Sequence, residues 1–310
     1  VLALGFAVVA GCGGARTDPA AGVAAKCATP RTGFDPVTSD RYPDTQGTLA
    51  DEKAWLRAWT DDLYLWYREV PASDPATFAT AIDYFNVLRT TSTTASGKPK
   101  DQFHFTIPTA EWQLSAGSGI SAGYGVQWTL ISARPPRVIV AAYVEPGSPA
   151  ADPDPGKHLA RGAKVLVVDG VDAIGPTDGG LDVLNEGLFP TTLGTPHTFT
   201  VLDVGATVPR TVTLTSADVT SHPVLVAGPL PPPHQQVGYL AFNAHIKPAE
   251  AALVTAVQGL ADAGVTDLVL DLRYNGGGYL AVASELGFQV AGPDRTAGKV
   301  FEAEAFNDQH

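Results

Sequence analysis

The sequence predicts a multidomain α+β chain with a helical N-terminal segment, a β-rich middle domain and the opening of an α/β domain. Three observations carry this. Aromatic residues recur at helical spacing between positions 49 and 66. Short apolar runs bounded by glycine and proline turns follow between 120 and 214. The last part reads strand, helix, strand, glycine turn, helix, an order that predicts a parallel sheet with right-handed crossovers.

With 310 residues the chain has room for two or three domains. A hydrophobic content of 45% supports real cores, and 32 Gly with 25 Pro require many turns. The net charge is −12 with a pI near 4.9, and Lys and Arg form no cluster, which excludes nucleic acid as a partner. No apolar run is long enough to span a membrane. The seven histidines (104, 158, 197, 222, 234, 245 and 310) are scattered without His-Glu-x-x-His spacing, so neither a metal nor a cofactor is expected.

Residues 1–11 form an apolar stretch that reads as the remnant of a signal peptide. Val9-Ala-Gly-Cys12 resembles a bacterial lipobox. The resemblance implies lipidation at Cys12, a lipid bilayer as partner, and a lipid-anchored place in the bacterial cell envelope, on its periplasmic or extracellular side. Residues 12–48 read as the tether behind that anchor. Cys27, the only other cysteine, has no obvious partner. The lack of any methionine and the abrupt stretch Phe301–His310 read as a chain incomplete at both ends.

The helical domain is expected at 49–112. Trp55, Leu56, Trp59, Leu63 and Trp66 make an apolar stripe, Asp51 and Glu52 suit the first turn, and Pro71 stops the helix. A second helix is expected from Pro75 to Thr90 with Phe78, Ile82, Phe85 and Leu88 inward, followed by a polar loop and a strand from Asp101 to Pro108. Gly119-Ile-Ser121-Ala-Gly123 satisfies the Gly-x-Ser-x-Gly pattern of a nucleophile elbow. It lacks the required strand before it and helix after it, so Ser121 is not expected to act as a nucleophile.

The middle domain is expected at 113–228. Gly123-Tyr124-Gly125-Val126 resembles the carboxylate-binding loop of PDZ domains, and Arg161-Gly-Ala-Lys-Val-Leu-Val-Val-Asp-Gly170 resembles a PDZ strand with Ala163 in place of the usual acid. The turn Glu145–Ala150, a groove helix at Gly179–Leu188 and strands at Thr198–Val204 and Thr211–Leu214 complete the order. The resemblance implies that Gly123, Tyr124, Gly125 and Val126 bind a peptide C-terminus, whose strand adds to the sheet edge. A small β-domain without peptide binding is the bland reading of the same pieces.

Residues 229–236 read as a proline-rich linker into the last domain, 237–310. There Val237–Phe242 is a strand, and Pro248 starts a helix with Leu253, Val257 and Leu260 inward, ended by Gly264. Asp267–Leu272 is the next strand. Asn275 tolerates a left-handed backbone, Gly276, Gly277 and Gly278 follow, and a helix begins at Tyr279 with Leu280, Ala283, Leu286, Gly287 and Val290 inward. Bare N–H groups before a helix suit a phosphate or an oxyanion, but no phosphate-loop or dinucleotide pattern is present. His245, just after the first strand, is placed either to face a cleft or to satisfy local hydrogen bonds.

Asp271-Leu-Arg273-Tyr-Asn275-Gly-Gly277-Gly278 resembles the Asp-Leu-Arg-x-Asn-x-Gly-Gly segment of the S41 serine peptidases, the C-terminal-processing and tail-specific protease family. Leu65-Trp-Tyr-Arg-Glu-Val-Pro71 resembles the N-terminal helical segment of S41 lipoproteins. The resemblance implies a crotonase- or Clp-like α/β peptidase core beginning at 237, with Gly276, Gly277 and Gly278 as oxyanion-hole candidates and Asp271, Arg273 and Asn275 supporting the motif. It also implies a protein or peptide substrate with a free C-terminus, and a nucleophilic serine opening a later helix, with a lysine as base. After Gly278 the chain offers only Ser284 and Lys299, and Ser284 falls inside the helix that the glycine turn begins. The catalytic pair is therefore expected beyond residue 310. The alternative is a non-catalytic PDZ-containing envelope binding protein on the same scaffold.

Overall fold

The computed structural model describes residues 20–35, 39–175 and 180–309, so the expected signal peptide remnant and the Cys12 lipidation site lie outside the described residues. The chain forms two compact units, residues up to Thr109 with Glu302–His310, and Ala110–Phe301.

In the first unit β1 (Lys26–Cys27) pairs in parallel with β2 (Thr45–Gln46), and α1 runs Leu49–Leu63. The expected tether is thus folded from residue 20 onward. The Ala28 N–H donates to Glu52 on α1, and Cys27 is buried as a free thiol. Thr48 and Asp51 close α1 with a reciprocal capping box. The tryptophan stripe is only half-buried; the buried positions are Thr60 and Lys53, whose Nζ donates to the carbonyls of Pro75 and Phe78 at 2.8 and 2.6 Å. The expected 75–90 helix is a 3-10 turn at Pro75–Thr77 and a short α2 at Ala81–Phe85. Asp74 and Thr80 each cap a fresh start, so the period resets and Tyr84 and Leu88 point inward while Ile82 is exposed. No strand forms at 101–108; its Asp101 accepts from the Tyr64 hydroxyl at 2.7 Å instead of joining a ladder. The last residues, expected in the peptidase core, complete this unit: Asn307 Nδ2 donates to the carbonyls of Asp61 and Tyr64 at the end of α1.

Arg31 holds Asp44 through two side-chain bonds of 2.8 Å, and chiefly this hydrogen bonding lowers the Asp44 carboxyl from 3.8 to about 2. Because the folded value lies below the unfolded one, the stabilisation is complete above about pH 4 and is lost as pH falls through about 2. We expect the melting temperature of the wild type to drop over this window more than that of Asp44→Asn. Equal acid sensitivity of the two would remove the pair from the account.

The second unit opens within α3 (Thr109–Trp112), which continues as a π-helical turn at Gln113–Ser118. Then come β3 (Ile120–Gly123), β4 (Val126–Ser132), β5 (Val138–Val144), β6 (Lys164–Val168), β7 (Val171–Asp172), α4 (Leu181–Leu188), β8 (Pro196–Leu202), β9 (Arg210–Thr215) and β10 (Ala217–Thr220). The middle sheet is antiparallel in the order β4-β5-β6-β8-β9, with β7 on β6. Its core gathers Tyr124, Trp128, Val165, Val168, Phe199, Val201, Val212 and Leu214 under α4. The elements follow the order implied by the PDZ resemblance. β3 and β10 pair with each other, closing the base of this domain at 120 and 220.

The core sheet begins earlier than expected. β11 (Val224–Pro229) pairs antiparallel with β12 (Val237–Phe242), so the proline-rich 229–236 stretch is the turn between two strands and not a linker between domains. The Leu230 N–H donates to the Val237 carbonyl and closes that turn, where prolines suit a loop that has few N–H groups to satisfy. α5 (Ala249–Asp262) crosses to β13 (Asp267–Asp271), which lies parallel to β12, as the sequence predicts. α6 (Leu280–Ala291) and α7 (Pro293–Thr296) follow. Leu253 and Leu260 are buried as expected, but α6 turns Val282 and Leu286 inward and leaves Leu280 and Val290 half exposed.

Candidate active site

The glycine turn sits where the parallel strands β12 and β13 end, the side of a parallel sheet where ligands are ordinarily bound. Asn275 does not use the left-handed backbone it could tolerate; the positive φ values fall on Gly277 (+96°) and Gly278 (+136°). Instead its side chain ties the two strand ends together. Nδ2 donates to the Phe242 carbonyl at 3.0 Å, while Oδ1 accepts the Gly277 N–H at 2.8 Å and meets His245 Nδ1 at 2.8 Å. His245 and Gly278 form a parallel bridge, with the His245 N–H on the Gly277 carbonyl (3.0 Å) and the Tyr279 N–H on the His245 carbonyl (2.8 Å). Of the three candidate donors, Gly277 is thus engaged. Among the described residues the N–H groups of Gly276 and Gly278 have no protein acceptor.

Asp271 and Arg273 stand beside this turn and not in it. The Arg273 guanidinium donates to both Asp271 oxygens, its backbone N–H adds a further bond to Oδ1, and the Tyr239 hydroxyl donates from the neighbouring strand. The Arg273 bonds, seconded by Tyr239, hold the Asp271 carboxyl well below the usual carboxylate range. Asp271 therefore stays ionised and fixes the exit of β13; it is no proton donor. Tyr239 was not singled out from sequence, because only the β12–β13 register brings it to Asp271.

Ser284 lies mid-way along α6, as expected, and Ser121 lies in β3 opposite Val219, with a π-helical turn before it and a strand after it. Neither has the setting of a nucleophile. Among the described residues no group of three or more His, Cys, Asp or Glu could hold a metal ion, and no helix is long and apolar enough to cross a membrane.

In the middle domain Gly123 (φ +155°) and Gly125 (φ +78°) bend the chain into β4, an edge strand paired, among the described residues, only with β5. A side chain on Gly125 would overlap Ser148. Tyr124 points into the core: its hydroxyl donates to the Gly187 carbonyl (3.0 Å) and its ring meets Phe199 edge-on at 5.6 Å. Burial pushes its phenol pKa well up. Trp128 Nε1 donates to the Leu188 carbonyl at 2.9 Å, so both rings pin the end of α4 to the start of β4. The loop is anchored by its carbonyls, Tyr124 to the Ala150 N–H and Gly125 to the Glu145 N–H, while the N–H groups of Tyr124 and Gly125 have no acceptor among the described residues. The buried Ser148 Oγ beside them is also unpartnered. Glu145, nine-tenths buried, accepts from the backbone N–H of His222 at 3.0 Å and lies 3.1 Å from its Nδ1, a pairing no sequence spacing announces.

Residues 51–103 match the family model for the peptidase S41 N-terminal domain, and residues 236–299 match that for peptidase family S41. No curated protein matches the chain. Among solved structures it is similar to a Bacteroides fragilis NCTC 9343 protein described as an S41 protease (24% identity over 78% of this chain and 58% of that one, TM-score 0.45). It is also similar to a photosystem II D1 C-terminal processing protease (24%, 76% of this chain and 62% of that one, TM-score 0.39). A third likeness is to the PDZ domain of a Vibrio cholerae carboxy-terminal protease in complex with peptide (20%, 33% of this chain and 99% of that one, TM-score 0.26). The chain thus spans less than two thirds of the length of the first two proteases. The N-terminal-domain and peptidase-domain models of family S41 are thus matched in sequence order, the first on the helices of the first unit and the second on the segment from β12 through α6.

Proposed function

We propose that the chain is part of an exported, lipid-anchored serine endopeptidase whose middle domain takes hold of the free C-terminus of a protein or peptide substrate. The observation that carries the reading is the glycine turn, clamped by Asn275, with the N–H groups of Gly276 and Gly278 left without acceptors. When a serine oxygen adds to the scissile carbonyl, that carbonyl oxygen becomes negative, and a preoriented N–H is worth about 3 kcal/mol to it. The serine, and the neutral lysine that takes its proton, lie in this reading beyond residue 310. The unpaired N–H groups of Tyr124 and Gly125 suit a carboxylate in the same way, and edge strand β4 offers a ladder to the peptide behind it. Export and anchoring rest on the lipobox at Cys12.

The test uses the intact protein and two peptides alike but for the last group, an apolar residue as free acid or as amide. The free acid is expected to be cleaved at least tenfold more efficiently, and a serine-directed fluorophosphonate should stop cleavage. Equal handling of both peptides would refute carboxylate recognition. Binding without cleavage would make the protein a non-catalytic envelope binding protein, and labelling of Ser121 or Ser284 would overturn the placement of the nucleophile.

A further inference from the structure

We propose that His245 is a positioning residue for the glycine turn: its imidazole locks Asn275, and through Asn275 the direction in which Gly276 and Gly277 present their N–H groups. The catalytic consequence rests on the peptidase reading above; the clamp itself rests on geometry.

The amide of Asn275 can be oriented from its neighbours. Nδ2 faces the Phe242 carbonyl, which only accepts, and Oδ1 faces the Gly277 N–H, which only donates. His245 Nδ1, 2.8 Å from the same Oδ1, therefore carries the proton and donates. Oδ1 thus takes two hydrogen bonds at once, one from the turn and one from the ring. The ring itself is held edge-on to Phe242, with centroids 4.6 Å apart. Among the described residues its Nε2 has no partner, so the imidazole is committed to the turn through one nitrogen only.

The backbone of residue 245 also bridges the turn, but any residue could supply those bonds. What only this side chain adds is the second donor to Asn275. Without it the amide is held on one side by Phe242 and shares Oδ1 with Gly277 alone, so it can swing, and the Gly277 N–H loosens with it. The Gly278 N–H shares its peptide plane with the Gly277 carbonyl, which the N–H of residue 245 still holds, so the loosening falls on the Gly276–Gly277 peptide and on the Gly276 N–H next to it. The effect falls on a group needed when the oxyanion forms and not when the substrate binds, so it belongs in kcat and not in KM.

The experiment compares the intact wild type with His245→Leu, which has no donor, and His245→Asn, whose side-chain N–H can reach the place of Nδ1–H. Two quantities are read: kcat with KM on a cleavable peptide, and amide hydrogen exchange at Gly277. The Leu variant is expected to lose about 10- to 100-fold in kcat with KM within about twofold, since misplaced oxyanion donors cost on this scale. Its Gly277 amide should exchange faster, and Asn should recover most of both losses. An unchanged Gly277 exchange rate in the Leu variant, or no recovery with Asn, overturns the proposal. If the wild type cleaves nothing, the peptidase reading has failed, and the exchange rates alone decide the clamp: faster in Leu and restored in Asn upholds it, any other pattern overturns it.

Discussion

Gly278→Ala is expected to lower kcat of the intact protein by about 10²–10³-fold, the scale of losing one oxyanion donor. A methyl group at this position would overlap the carbonyl oxygen and carbon of His245. Those are backbone atoms held in a bridge and cannot move aside as the tip of a long side chain could. The φ of +136° adds a second penalty, because L side chains rarely adopt it. The turn must therefore open, and the N–H that Gly278 presents changes direction. Stability should fall too, by more than about 1 kcal/mol. Gly276→Ala makes the control: a Cβ there meets nothing within 4 Å and φ is not positive, so its melting temperature should stay near wild type. Steady-state kinetics and thermal melts of both variants decide the matter, and wild-type kcat in Gly278→Ala would remove this glycine from the oxyanion site.

Phe199→Ala should produce the largest loss of stability, about 3–5 kcal/mol, the usual cost of truncating a buried phenylalanine. The ring is fully buried in the middle sheet, stacked on Trp128 at 5.7 Å and met edge-on by Tyr124. Those two side chains pin α4 to the start of β4, so the cavity would also undo the support of the Gly123–Val126 loop. Denaturant unfolding is expected to show the middle domain melting early, and a peptide with a free carboxyl terminus should lose affinity in parallel. Phe288→Ala, at a site half exposed on α6, should cost under about 1 kcal/mol. Similar losses from the two substitutions would mean that Phe199 is not the keystone of this core.

Much of the second unit can be read from sequence, for a physical reason. β12 has the expected bounds because it is an apolar run cut at both ends by turn-forming residues. α5 has a proline before it and a glycine after it, and its buried face is the one the spacing gives. α6 is different. Leu280, Val282, Ala283, Leu286, Phe288 and Val290 make it apolar nearly all round, so two stripes compete and tertiary packing selects the one through Val282 and Leu286. The segment 75–90 fails for the opposite reason, since caps at Asp74 and Thr80 interrupt a period that looks continuous. The boundary at 229–236 was misplaced because proline suits a tight turn between strands as well as a linker. In the site, the Asp271–Asn275 motif and its glycines stand out, but the partners that make them work do not. His245 is in view from sequence, but that it, Tyr239 and Phe242 meet the motif follows only from the β12–β13 pairing, and pairing across some thirty residues leaves no local mark.

The bonds from Asn307 to the carbonyls of Asp61 and Tyr64 bear on how the protein is made. The N-terminal unit is finished by residues that leave the ribosome only after the whole of Ala110–Phe301. At roughly 5–20 residues per second, those 192 residues take on the order of 10–40 s to synthesise. Through that interval the end of α1 lacks its closing partner, so the unit that holds α1 waits on the synthesis of the whole of Ala110–Phe301.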